Sequence, residues 1–310
     1  MLRQAPPRRH LLDLDDFTPQ EVELVLQTAE AMSEVLGRDI KKVPTLRGRV
    51  VVTLFYEAST RTRLSFEEAG KVLSAEVMNV SASGSSIEKG ESLLDTALTI
   101  QAMGADTIIV RHPHSGAPYL MARSLKRCSV INAGDGWHAH PSQALLDLYT
   151  VRQRLAPGPS RGIQGVKLVI VGDALHSRVA RSDIWGFTLM GAQVVLCGPP
   201  TLIPQDMLRP PPGYPSAEDY PPARVQVETD LDRALDGADV VMALRLQLER
   251  QQKGLFPSLS EYIARYQVNE RRLARARENV LVMHPGPMNE GVEISASVAH
   301  GARSAIEQQV

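Results

Sequence analysis

The chain has 310 residues, of which 43% are hydrophobic and 22% charged, and its 34 Lys and Arg nearly balance 35 Asp and Glu. That is the composition of a globular protein long enough for two domains with separate cores. It excludes the strong basic field of a nucleic-acid binder, and no apolar run is long enough to span a bilayer.

Residues 1–10 lack the apolar core of a signal peptide. Thr18-Pro-Gln-Glu21 reads as an N-cap, a proline at N1 and a capping-box acid. It predicts a helix running to about Leu36 and ended by Gly37. The apolar run from Val50 to Phe55 reads as a buried strand. Leu64, Ala69, Val72 and Leu73 then share a helical face, with Ser59 or Thr60 as the cap. Ser59-Thr-Arg-Thr-Arg63 therefore lies where a strand turns into a helix. Arg61 sits there at the positive end of a helix dipole, where a cation is disfavoured. A bound anion removes the conflict, because backbone N–H groups, hydroxyls and a guanidinium then converge on it. Arg63 has a simpler expected partner in Glu67, one helical turn on.

Residues 77–80 form a second short strand, followed by a polar loop, 81–91, that contains Lys89. A helix over 93–103 ends at Gly104, and a strand over 107–110 delivers Arg111-His-Pro at its carboxyl end. A strand over 129–132 delivers the stretch from Ala133 to Gln143, in which Pro141 opens a helix to about Arg154. Strand and helix alternate, as in a parallel sheet. The polar clusters follow the strands, where open α/β sheets bind ligands.

Residues 157–162 read as a flexible connection, after which a second α/β series begins. Strands are expected over 167–171, 194–196, 239–244 and 280–283. Helices are expected up to Met190, over 229–235, within 258–277, and from about Ser295 to the end. The proline-rich stretch 199–222 reads as a surface loop. Cys128 and Cys197 fall in or beside strands with no metal-binding spacing, so buried thiols, a reducing cytoplasm and no metal are expected.

Four arginines come soon after strands: Arg61 and Arg111 in the first half, Arg178 and Arg245 in the second. Arginine is suited to bidentate recognition of phosphate and carboxylate. Such an arrangement fits substrates with several anionic groups, held between two domains. The Walker phosphate motif is missing from the sequence, and Val171-Gly-Asp173 is not followed by a full dinucleotide fingerprint.

Taken together, Phe55-Tyr-Glu-Ala-Ser-Thr-Arg-Thr-Arg63, Arg111-His-Pro113 and His140-Pro-Ser-Gln143 resemble the carbamoyl-phosphate half of the aspartate and ornithine carbamoyltransferase family. Gly172-Asp-Ala-Leu-His-Ser-Arg178, Arg245-Leu-Gln-Leu-Glu-Arg250 and His284-Pro-Gly-Pro287 resemble its aspartate-using members. The His-Cys-Leu-Pro and Ser-Met-Gly stretches of the ornithine users are not found. The resemblance covers nearly the whole chain in order. It implies two doubly wound α/β domains with mostly parallel sheets and an active site in the cleft between them. Residues 1–150 would bind carbamoyl phosphate, 151–291 would bind aspartate, and 292–310 would form a helix returning toward the first domain.

The implied reaction moves the carbamoyl group of carbamoyl phosphate to the amino group of L-aspartate, in pyrimidine biosynthesis, with no cofactor, metal or covalent intermediate. Ser59, Thr60, Arg61 and Thr62 would grip the phosphate. Thr62, Arg111 and His140 would donate to the carbonyl oxygen, and Gln143 would hold the carbamoyl NH₂. Arg178, Arg245 and Gln247 would take the aspartate carboxylates, with the Pro285 and Gly286 carbonyls near the amine. Two arginines would repel the ammonium of ornithine. Glu57 would pair with Arg178 and Arg250 on domain closure. Ser85 and Lys89 would reach a neighbouring copy's site, implying a homotrimer, within or without a larger complex with dihydroorotase or regulatory chains. Neither nucleic acid nor membrane is an expected partner.

The chain departs from the family pattern at Glu88, at Glu290 (where relatives usually carry arginine) and in ending at Val310. Three rival readings stay open: a transferase for another amine, a non-catalytic assembly subunit of the same fold, and a sugar-phosphate or nucleotide-binding module.

Overall fold

The computed structural model describes residues 8–81, 90–155, 162–214, 216, 219–246 and 255–310. Two compact units divide the chain. The first comprises Met1–Asp16 and Gln27–Ser142, the second Phe17–Leu26 and Gln143–Val310.

The first unit holds a four-stranded parallel sheet in the order β2-β1-β3-β4. Its strands are β1 (Val50–Phe55), β2 (Glu76–Ser81), β3 (Thr107–His112) and β4 (Ser129–Asp135). The helices are α1 (Pro19–Leu36), which crosses the division, α2 (Thr60–Val72), α3 (Leu93–Ala102) and α4 (Ala117–Ser124). Helix α5 (Pro141–Leu155) leads into the second unit. Strand β1 reads as a nearly continuous apolar run, interrupted by Thr53, because helices cover both faces of a parallel sheet. Its side chains alternate: Val52 and Leu54 pack with Ile108, Val110, Val130 and Met121 on one face. Val51 and Phe55 pack with Ile109 and Ala133 on the other.

The second unit holds five parallel strands in the order β7-β6-β5-β8-β9. These are β5 (Lys167–Val171), β6 (Gln193–Cys197), β7 (Gln226–Glu228), β8 (Val240–Ala243) and β9 (Leu281–Met283). Helix α6 (Arg178–Leu189) is followed by the short helices α7 (Leu231–Leu235), α8 (Leu259–Tyr266), α9 (Glu270–Leu273) and α10 (Ala296–Ala299). Val169, Val171, Val195, Val241 and Val282 share one core with Tyr262 and Ile294.

The capping box at Thr18 forms as its residues predict: the Thr18 N–H donates to Glu21 Oε2 at 2.8 Å, and the Glu21 N–H to Thr18 Oγ1 at 3.2 Å. Three expectations are corrected. The closing segment is helical only over Ala296–Ala299, because the chain then leaves the helix and Ser304 bridges to Val282 at the sheet. The helical stretch 258–277 is broken at Gln267, and Asn269 re-caps it by accepting the Arg272 N–H at 3.2 Å. Arg63 does not pair with Glu67. Glu67 is held by Lys71 at 2.5 Å and Asn79 at 2.8 Å, and Arg63 Nη1 donates to Ser81 Oγ at 3.2 Å.

Candidate active site

In each sheet the chain runs outward from a central strand in both directions. In the first, β2 lies on one side of β1 and β3 on the other. In the second, β6 lies on one side of β5 and β8 on the other. The loops leaving the carboxyl ends of such a strand pair diverge to opposite faces and open a crevice where α/β sheets bind ligands. Arg61 follows β1, and Arg111 is the last but one residue of β3. Arg178 and Arg245 follow β5 and β8. Each switch point is therefore flanked by a pair of arginines.

At the first switch point Phe55 and Arg111 are register partners, and the Tyr56 N–H donates to the Arg111 carbonyl at 2.9 Å. Arg111 Nη2 donates to Glu57 Oε1 at 2.8 Å and Nη1 to the Ala133 carbonyl at 3.1 Å. Three neighbouring strand ends thus fix one guanidinium. Of the two expected cap residues, Ser59 or Thr60, Ser59 takes the N-cap position of α2 with extended backbone, but its hydroxyl makes no capping bond. By contrast, Ser177 before α6 accepts the Ala180 N–H at 3.2 Å. The first turn of α2, which carries Thr60, Arg61 and Thr62, thus has no side-chain cap from Ser59.

His140 and Gln143 lie at the start of α5, both buried, and His140 Nδ1 stands 3.3 Å from Ser142 Oγ. A buried carboxylate shapes the loop before them. Asp135 Oδ1 accepts from Asn132 Nδ2 at 2.8 Å and from the Ala139 N–H at 3.2 Å, while Oδ2 accepts the Gly116 N–H at 2.7 Å. His138 Nδ1 lies 3.2 Å from Asp135 Oδ2, and this hydrogen bond raises the imidazole pKa. Asp13, 3.5 Å from His138 Nε2, is pushed up to about 7, first by burial and then by Asp15.

At the second switch point Arg178 is only 5% exposed, at the N-terminus of α6. A buried cation at the positive end of a helix is costly without an anion to meet it. Asp173, after β5, is bound by His176 Nδ1 at 2.9 Å and by the His176 N–H at 3.2 Å, which folds the turn that presents Arg178. Arg245 is half-buried two residues after the end of β8. After β9 the His284-Pro-Gly-Pro287 loop is pinned from inside. His284 Nδ1 accepts the Gly286 N–H at 2.8 Å, so Nε2 carries the hydrogen and donates to Glu293 Oε1 at 3.1 Å. Glu293 also accepts the Asn289 N–H at 2.6 Å. The Gly286–Pro287 bond is cis.

Ser85, Lys89, Gln247 and Arg250 lie outside the described residues, as does Glu88. Glu57 is found on Arg111. Sequence reading passed over the buried acids Asp135, Asp173 and Glu293. Their signal is faint, because an acid that will be buried by its partners looks like any loop acid until those partners are known.

The fold and these residues define an α/β protein with two parallel sheets and a pair of arginines at the switch point of each. Residues 9–153 match the model of the aspartate/ornithine carbamoyltransferase carbamoyl-P binding domain, and 164–310 that of the Asp/Orn binding domain. The aspartate carbamoyltransferase catalytic subunit of Roseiflexus sp. (strain RS-1) is 58% identical, over 98% of this chain and 91% of its own. That of Dehalococcoides mccartyi (strain BAV1) is 52% identical, over 99% and 88%. Among solved structures, Trypanosoma cruzi aspartate transcarbamoylase in complex with carbamoyl aspartate and phosphate superposes with a TM-score of 0.84 at 29% identity, over 97% and 91%. Ornithine carbamoyltransferase from Pyrococcus furiosus superposes at 0.81 with 26% identity, over 97% and 92%. The chain belongs to the aspartate/ornithine carbamoyltransferase family.

Proposed function

We propose that the protein transfers the carbamoyl group of carbamoyl phosphate to the amino group of L-aspartate, releasing N-carbamoyl-L-aspartate and phosphate, a step of de novo pyrimidine synthesis. The observation that carries this reading is the arginine pair at each switch point. One pair suits a phosphate and the other a dicarboxylate. The 58% identity to a Roseiflexus aspartate carbamoyltransferase supports aspartate over ornithine as acceptor. The proposed division of labour is 1–150 for carbamoyl phosphate and 151–291 for aspartate, with 292–310 as the closing segment. It is supported by the family models matching 9–153 and 164–310.

In this mechanism Ser59, Thr60, Arg61 and Thr62 hold the phosphate, with Arg111 between phosphate and carbonyl. Gln143 accepts from the carbamoyl NH₂. Arg178, Arg245 and Gln247 take the two carboxylates of aspartate, and the Pro285 and Gly286 carbonyls face its amine. The amine lone pair attacks the carbonyl carbon, and the C=O π pair moves onto oxygen. Thr62, Arg111 and His140 meet that charge. Collapse restores the C=O and breaks the bond from carbon to the phosphate oxygen. Phosphate departs with a proton from the attacking nitrogen. Positioning and charge stabilisation account for the rate. Ser85 and Lys89 complete the site of a neighbouring copy in a cytoplasmic homotrimer.

The test is turnover of carbamoyl phosphate with L-aspartate, L-ornithine and other amines. Aspartate is expected to be the preferred acceptor. A higher kcat/KM with ornithine, or no turnover with any amine, would overturn the reading.

A further inference from the structure

Two carboxyl groups lie side by side in the interior of the second unit. Asp147 is on α5 and Asp183 on α6, and both are fully buried. They are within hydrogen-bonding reach of one another. Neither oxygen of Asp183 receives an N–H or hydroxyl hydrogen bond from the described residues. Two adjacent carboxylates in a dry interior cannot both be ionised. Burial, reinforced by the charge of Asp147, pushes the Asp183 carboxyl far above its ordinary range. In a carboxyl pair holding one proton, Asp183 is the member that keeps it and Asp147 the member that accepts.

Asp147 is then an acceptor, and it is used as one. Its Oδ1 receives Gln143 Nε2 at 3.1 Å and Gln309 Nε2 at 2.7 Å. Gln309 passes the constraint on, because its Oε1 accepts the His284 backbone N–H at 2.8 Å. One carboxylate thus ties together the start of α5, the C-terminal residues and the first residue of the loop after β9. The chemical consequence is largest at Gln143. A glutamine amide can present either its oxygen or its NH₂ with almost the same shape. A neighbour that only accepts commits Nε2 inward and leaves Oε1 as the atom offered to a ligand.

We propose that Asp147 and Asp183 form a carboxyl pair holding one proton, and that this pair positions Gln143 as a hydrogen-bond acceptor for the carbamoyl NH₂ while anchoring the His284 loop through Gln309. The inference rests on the reading of Gln143 given above. Asp147 and Asp183 are positioning residues and touch no substrate.

Infrared spectroscopy of the whole protein tests the pair directly. The wild type is expected to show the C=O stretch of a buried protonated carboxylic acid, and Asp183→Asn to lack it. Absence of that band in the wild type, or its persistence in Asp183→Asn, would overturn the shared proton. Kinetics test the positioning. Asp183→Asn replaces the O–H donor with an N–H donor, so KM for carbamoyl phosphate is expected to stay within about twofold. Asp183→Leu removes the donor, and KM for carbamoyl phosphate is expected to rise about tenfold or more, with a smaller change in KM for aspartate. Equal damage from Asn and Leu, or none from a folded Leu variant, would overturn the positioning role. Gln143→Ala separates the two layers: unchanged kinetics there would remove the role of Gln143, while the infrared result still decides whether the proton is shared.

Discussion

Arg111 shows how a fold fixes a single long side chain. A guanidinium in a loop samples many rotamers, but here Glu57 and the Ala133 carbonyl take two of its nitrogens at 2.8 and 3.1 Å. The entropy of ordering it is spent on folding. Arg61 is the opposite case, half-buried on the first turn of a helix that its presence opposes. We expect Arg61→Ala to lower kcat by about 10²–10³-fold. Its stability should fall by no more than about 1 kcal/mol, read by denaturant unfolding, since Arg61 is half-buried and outside the hydrophobic clusters of the first unit. Unimpaired turnover, or a variant that fails to fold, would contradict the assignment.

Asp13 makes a second prediction at this scale. Burial holds its proton in the folded protein up to about pH 7, against 3.8 for the unfolded chain. Between those values the native state binds the extra proton, so stability falls as pH rises from about 4 to about 7. The slope from this one group is at most about 1.4 kcal/mol per pH unit. His138, with its pKa also raised, adds loss in the same direction above 6.5. Unfolding measured across this range should show Asp13→Asn gaining on the wild type as pH rises. Parallel curves would rule out the protonated Asp13.

Among the elements, helices α2 and α6 both begin with an arginine in the first turn, yet their starts differ. Ser177 caps its helix, whereas Ser59 leaves its hydroxyl uncommitted. The strands that feed them were legible because parallel strands covered on both faces read as apolar runs. Helix α4 was not foreseen. It is eight residues long and starts from Gly116 at φ 84°, whose N–H is tied to the distant Asp135. Local propensity carries no trace of that anchor. Edge strand β7, three residues and largely exposed, was missed for want of an apolar pattern. Close approach of backbones is equally invisible in sequence. A Cβ on Gly198 would lie 2.5 Å from the Gly172 carbonyl oxygen, where the ends of β5 and β6 meet. Gly198→Ala should cost about 1–3 kcal/mol, read as a lower denaturant midpoint. An unchanged midpoint would show that the two strand ends can separate freely.

For the whole molecule, the recurring device is the switch point, used once in each sheet, with arginines on both sides of it. The loop that holds Lys89 lies outside the described residues, so its role is best tested in solution. Mixing Arg61→Ala and Lys89→Ala chains, each inactive alone, should regenerate activity if copies share sites. Verified mixed trimers with no recovery would argue against the sharing. No helix among the described residues is long and apolar enough to cross a membrane.

The sequence alone determined the alternation of strands and helices, the class of sheet and the residue types at each strand end. Those properties are local: they follow from apolar periodicity, caps and the chemistry of arginine. Only the tertiary structure decided which strand ends stand side by side. Strand order is set by pairing between distant segments, and it is this order that makes β1 the neighbour of β3 and β5 the neighbour of β8. The buried acids were decided the same way. Asp135, Asp147, Asp183 and Glu293 acquire their meaning from the partners that enclose them, and those partners come from other elements of the fold.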